Sequence, residues 1–124
     1  MQNKEETIKA LNAIRKAIDV DVVDVDIESV KNKLLGLTQL MGLSAEANAS
    51  ARKILSMKEL SVLQKIDKTL SPSIQKEFLS AECFEEEALW EYSDRLNAAI
   101  THTIDGLRTV ISLYKIEMEN SLKQ

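Results

Sequence analysis

Cysteine, proline, glycine, histidine and aromatic residues are all scarce in this 124-residue chain. The single cysteine, Cys83, leaves no possibility of an internal disulfide, which fits a reducing compartment. One proline, Pro72, and three glycines are few breakers for a chain of this length. The aromatic set is Phe78, Phe84, Trp90, Tyr92 and Tyr114. The apolar core must therefore come from Leu, Ile, Val and Ala, a composition that suits packed helices better than a sandwich or barrel.

Positive charge is not concentrated anywhere. The net charge is −4 and the isoelectric point is about 5.1, whereas a nucleic-acid-binding face is normally basic and clustered. Direct nucleic-acid binding is not expected. No apolar run approaches the length of a membrane span, and the stretch from Met1 to Thr7 lacks an apolar signal core. A soluble, cytoplasmic protein is the expectation. A glycine-rich phosphate loop, zinc-type cysteine spacing and a Ser/His/Asp set are all missing. An enzyme is not expected, nor is a cofactor.

What the chain does have is helical periodicity. Ile100, Ile104, Leu107, Ile111, Tyr114 and Met118 recur in alternating steps of four and three, the spacing of a coiled-coil seam. A second flank of Leu89, Tyr92, Leu96, Ala99, Thr103, Val110 and Leu113 runs beside it. A helix over 81–119 would be roughly 60 Å long at 1.5 Å per residue. A compact domain of this size has a radius of gyration of only about 14 Å. Such a helix spans the whole domain, bends, or reaches a partner.

Upstream, Ile8, Leu11, Ile14 and Ile18 predict a first helix over 3–18. Residues 19–23 read as an acidic linker. Val30, Leu34, Leu37 and Met41 place a second helix at about 24–41, capped by Asp24 or Asp26 and ended by Gly42. Ser44 is expected to cap a third helix reaching about residue 70, with Ala45, Ala47, Ala49 and Ala51 allowing close approach. Its core stripe would be Leu55, Leu60, Leu63, Ile66 and Leu70. Ser71 and Pro72 stop it, and a short fourth helix follows with Ile74 and Phe78 facing inward. A bend near 80–83 separates that helix from the last, although one unbroken helix over 72–119 is the alternative. The expected fold is all-α: an antiparallel bundle of four to five helices in a single domain, 1–124, with a long C-terminal helix.

Candidate chemistry is thin. Asp19, Asp21, Asp24, Asp26 and Glu28 are dense in carboxylate, but a calcium loop needs a glycine at its sixth position and a glutamate at its twelfth. Those positions, counted from Asp19, hold Asp24 and Val30. His102 and Asp105 share a helix face, as in general-base pairs, but sit on a polar strip with Thr101, Thr109 and Ser112. Glu87 and Glu91 read as solvated charges drawn to the basic third helix. Cys83 lies near a helix start but among Glu82, Glu85 and Glu86, which oppose thiolate formation. No metal site is expected.

The functional expectation is a non-enzymatic interaction or assembly module, a homodimer built on Ile100, Ile104, Leu107, Ile111, Tyr114 and Met118. Gly106 is expected to permit close backbone approach there. Two other readings stand beside it. One is an accessory factor in a nucleic-acid transaction, acting through protein contacts. The other is a helical metal-binding protein using His102 and Asp105.

Overall fold

The computed structural model of the chain describes residues 2–22 and 26–123. Among the described residues there are four helices and no strand: α1 (Lys4–Ile18), α2 (Ile27–Lys65), α3 (Pro72–Glu82) and α4 (Phe84–Lys123). The fold is an all-α bundle dominated by two very long helices. At 1.5 Å per residue, α2 and α4 are each roughly 60 Å long.

Their starts follow from local chemistry. The side-chain oxygen of Asn3 accepts from the Glu6 amide at 2.9 Å, and Asp26 accepts from the Glu28 amide at 3.2 Å. Ser71 Oγ accepts from the Ile74 amide at 3.3 Å, with Pro72 in the first turn. Each satisfies an amide that a helix start otherwise leaves without a partner. Asp24, the other candidate cap for α2, lies outside the described residues together with Val23 and Val25.

The spine is the antiparallel pair α2 and α4. Two hydrogen bonds set its register: Ser44 Oγ donates to Asn97 Oδ1 at 2.9 Å, and Asn48 Nδ2 donates to Ser93 Oγ at 3.1 Å. In both, the residue numbers add to 141. The same register brings Leu37 level with Ile104, Val30 with Ile111 and Ile27 with Tyr114. Toward the other end it brings Val62 level with Leu79. Around the two polar bonds the side chains are small, with Ala47, Ala51 and Ser50 fully covered. Small residues there let the helix backbones come close. Ala45 and Ala49, also expected to serve this purpose, are exposed.

α1 lies across both long helices, antiparallel to α2. Its start is held by the Gln2 amide donating to Ser50 Oγ at 3.2 Å and by Lys4, whose Nζ is 3.3 Å from Glu85. At its far end Lys33 Nζ donates to the Val20 carbonyl at 2.8 Å. Ala10, Leu11 and Ile14 of α1 close the main core with Val30, Leu37, Ala47, Leu96, Ile100, Ile104 and Leu107. A smaller second core of Leu55, Val62 and Cys83, flanked by Leu79 and Trp90, forms where α1 no longer reaches.

Several expectations are corrected. Gly42 does not end a helix, and Ser44 does not cap one: α2 runs through both as a single helix. The buried stripe Val30, Leu37, Ser44, Ala51 repeats every seven residues on either side of Gly42, so ending the helix would forfeit burial worth more than glycine's cost of roughly 1 kcal/mol. Of the expected core stripe, Leu60 and Leu63 are exposed and Val62 is buried in their stead, whereas Leu55 and Ile66 are buried as expected, Ile66 just past the end of α2. α3 buries no residue, and Ile74 and Phe78 face outward. The stripe facing α2 passes through Leu79, Cys83 and Glu86, and one residue's rotation of 100° carries Phe78 away from it. Gly106 is not a point of close approach, because a Cβ built there meets nothing within 4 Å.

Both Gly42 and Gly106 are exposed and helical with open space at the missing Cβ. Gly42→Ala and Gly106→Ala are each expected to raise stability by about 0.5–1 kcal/mol, measured as a shift in the urea midpoint at constant slope.

Candidate interaction surface

The seam of α4 divides into two parts. Ile100, Ile104 and Leu107 are at most 7 % exposed and are spent inside the chain's own core against α1 and α2. Ile111 is half-buried against the same core. From there on the seam opens. The helix α2 begins at Ile27, level with Tyr114, while α4 continues for nine residues more. Tyr114, Met118 and Leu122, at steps of four, carry the seam's direction onward, and they are 38, 48 and 83 % exposed. Val110, Leu113 and Ile116 add exposed apolar surface to the same segment. A groove of about 190 Å³ lies at the foot of α2, lined by Ile27, Val110, Leu113, Tyr114 and Glu117. Leu122 escaped the sequence reading because its own position breaks the strict four-three alternation.

The acidic start of α4 is arranged differently from expectation. Its partner is α1, not the basic stretch of α2: Lys4 Nζ stands 3.3 Å from Glu85 and 3.9 Å from Glu86. Glu86 is buried in the stripe level with Leu55. Glu91 pairs with Arg95 of its own helix at 3.9 Å, and Arg52 of α2 stacks over the Trp90 ring at 4.8 Å from its centroid. The exposed pairs contribute at most about 1 kcal/mol each.

His102 and Asp105 are both exposed, and Asp105 lies 3.9 Å from Arg108. In the acidic segment, Asp19 accepts from Arg15 Nε at 2.8 Å and Asp26 caps α2. Among the described residues no three His, Cys, Asp or Glu side chains converge as a metal set would require. Among the described residues no helix is long and apolar enough to cross a membrane.

Cys83 is fully buried at the junction of α3 and α4. Burial raises its thiol pKa above the usual range, and the nearby charges of Glu59, Glu86 and Glu87 push it further up against a weaker opposing effect of Lys58. This is the reverse of a nucleophile's environment. The neutral thiol is favoured in the fold, so its stabilisation is complete below the unfolded thiol's pKa of about 8.5 and is lost as pH rises through the folded value. An ultraviolet titration of thiolate absorbance is expected to place Cys83 above an ordinary thiol, and Cys83→Ala is expected to remove that alkaline loss of stability.

No protein-family model matches the chain. Comparisons with curated proteins and with solved structures return no match either. Function must be argued from the chain's own surface.

Leu107 serves the monomer's core, so Leu107→Asp buries an unpaired carboxyl in the main apolar core. The expected cost is about 3 kcal/mol or more, seen as a large drop in the urea midpoint whatever the oligomeric state.

Proposed function

We propose that the protein is a non-enzymatic assembly module that self-associates through the C-terminal end of α4. The single observation that carries this reading is the continuation of an apolar helical seam for nine residues beyond the start of α2. A run of exposed Tyr114, Met118 and Leu122 on one line, with Leu113 beside it, is costly to leave in water and suits a second helix.

The surface area supports the same reading. The chain exposes 8549 Å². A compact monomer of 13.9 kDa is expected to expose roughly 6,700 Å². The excess, on the order of 1,900 Å², exceeds the ~800 Å² that each partner contributes to a standard interface. Residues 115–123 also suit a second copy electrostatically. Lys115 and Lys123 balance Glu117 and Glu119, so two such segments can meet without the repulsion that the whole chain's net charge of −4 implies. A two-fold arrangement, end segment against end segment, uses the same patch on both copies.

Light scattering over a concentration series tests this. The expected result is a mass of twice 13.9 kDa that falls to the monomer's on dilution. Met118→Glu combined with Leu122→Glu, both at exposed positions, should give a fully helical monomer at every concentration. A wild-type protein that stays monomeric throughout, or a double variant that still dimerises, would overturn the proposal.

A further inference from the structure

The bundle has two cores of very unequal size, and only the smaller one depends on α3. Leu55, Val62 and Cys83 are covered there by Leu79 of α3 and by Trp90, whereas α1 seals the main core. α3 itself buries no residue, and its apolar Ile74 and Phe78 remain exposed. Its connection to α2 is the turn-containing stretch 66–71, pinned by local bonds: Thr69 donates to Asp67 Oδ1 through its amide and its hydroxyl, and Gln75 Nε2 donates to the Leu70 carbonyl at 2.7 Å. Its connection to α4 is a single non-helical residue. The Cys83 amide donates to the Leu79 carbonyl at 3.0 Å and the Glu87 amide to the Cys83 carbonyl at 2.9 Å, so helical bonding spans the joint.

These features separate what holds α3 in place from what holds the bundle together. We infer that α3 is a flap that opens as a unit on its own, hinged at Cys83, while α1, α2 and the rest of α4 stay folded. Opening lifts Leu79 away from Val62 and uncovers Val62 and Cys83. The newly bared strip joins the already exposed Ile74 and Phe78 into one apolar surface at the end of the bundle opposite the proposed dimer contact. Local openings of this kind are drawn from segments with few buried apolar contacts. The inference does not rest on the self-association reading, because the two surfaces lie at opposite ends of α4.

Cys83 is the chain's sole cysteine and is fully buried, so its reaction with a neutral dipyridyl disulfide reports the opening directly. The test compares labelling rates in native buffer for the wild type, Leu79→Ala and Leu11→Ala, the last weakening the main core only. If the flap opens alone, Leu79→Ala speeds labelling about tenfold or more and Leu11→Ala leaves it nearly unchanged. Wild-type labelling also stays insensitive to low urea, since little surface is exposed in the opening. If Leu11→Ala speeds labelling as much as it lowers global stability, or if the wild-type rate equals that of global unfolding, the thiol is reached only through unfolding of the whole bundle and the flap is excluded.

Discussion

The antiparallel contact between α2 and α4 is the constraint on which everything else depends. Helices in proteins draw most of their stability from packing an apolar face, and each of these two buries a stripe repeating every seven residues against the other. Apolar stripes of this kind can slide by a heptad at modest cost. The hydrogen bonds Ser44–Asn97 and Asn48–Ser93 oppose that freedom, since a slipped register would break both bonds, each of which has one buried partner, Ser44 or Ser93. The small side chains around them set the closest approach. α1 then has one groove to fill, and Leu11 and Ile14 fill it completely.

Once that register is set, the two ends of the molecule follow from arithmetic. At one end α4 outruns α2 and carries apolar side chains with no helix opposite them among the described residues. At the other, α3 continues the line of α4 against the last turns of α2, beyond the reach of α1. The surface left at both ends is a consequence of helices of unequal reach, and it makes the chain's area large for its mass. One open groove, about 430 Å³ between α1 and the start of α2, is bordered by Ala17, Val20, Gly36 and Leu37 but also by Asp26, Glu28 and Lys33.

The helical class, the first helix, the start of α3 at Ser71 and Pro72 and the great length of the last helix were legible from composition, capping residues and periodicity; the end of α2 was not, since it falls at Lys65 and not at the expected residue 70. Nor was the continuity of α2 through Gly42. Glycine after an apolar stripe commonly marks a helix end, and only the partner helix shows that the stripe resumes in phase beyond it. Ile74, Phe78, Leu60 and Leu63 illustrate the opposite error: apolar identity suggested burial, yet phase relative to α4 turned them outward. The seam of α4 is legible as an apolar line, but which of its members are buried is not. Ile100 and Met118 are equivalent members of one repeat, and they differ only in whether α1 and α2 extend far enough to cover them.

The amino-acid sequence by itself determined that this protein is helical, that its positive charges are scattered along the chain, and that its longest helix carries a continuous apolar seam. Those properties are local: capping, helix propensity and the 3.6-residue period act within a few turns. Only the tertiary structure decided which portion of that face is core and which is surface, that two predicted helices are one, and that Cys83 is sealed beneath α3. Each of those outcomes depends on the relative register and length of segments some fifty residues apart in the chain, and that register is written in two pairs of small polar residues that resemble ordinary surface positions until the helices are brought together.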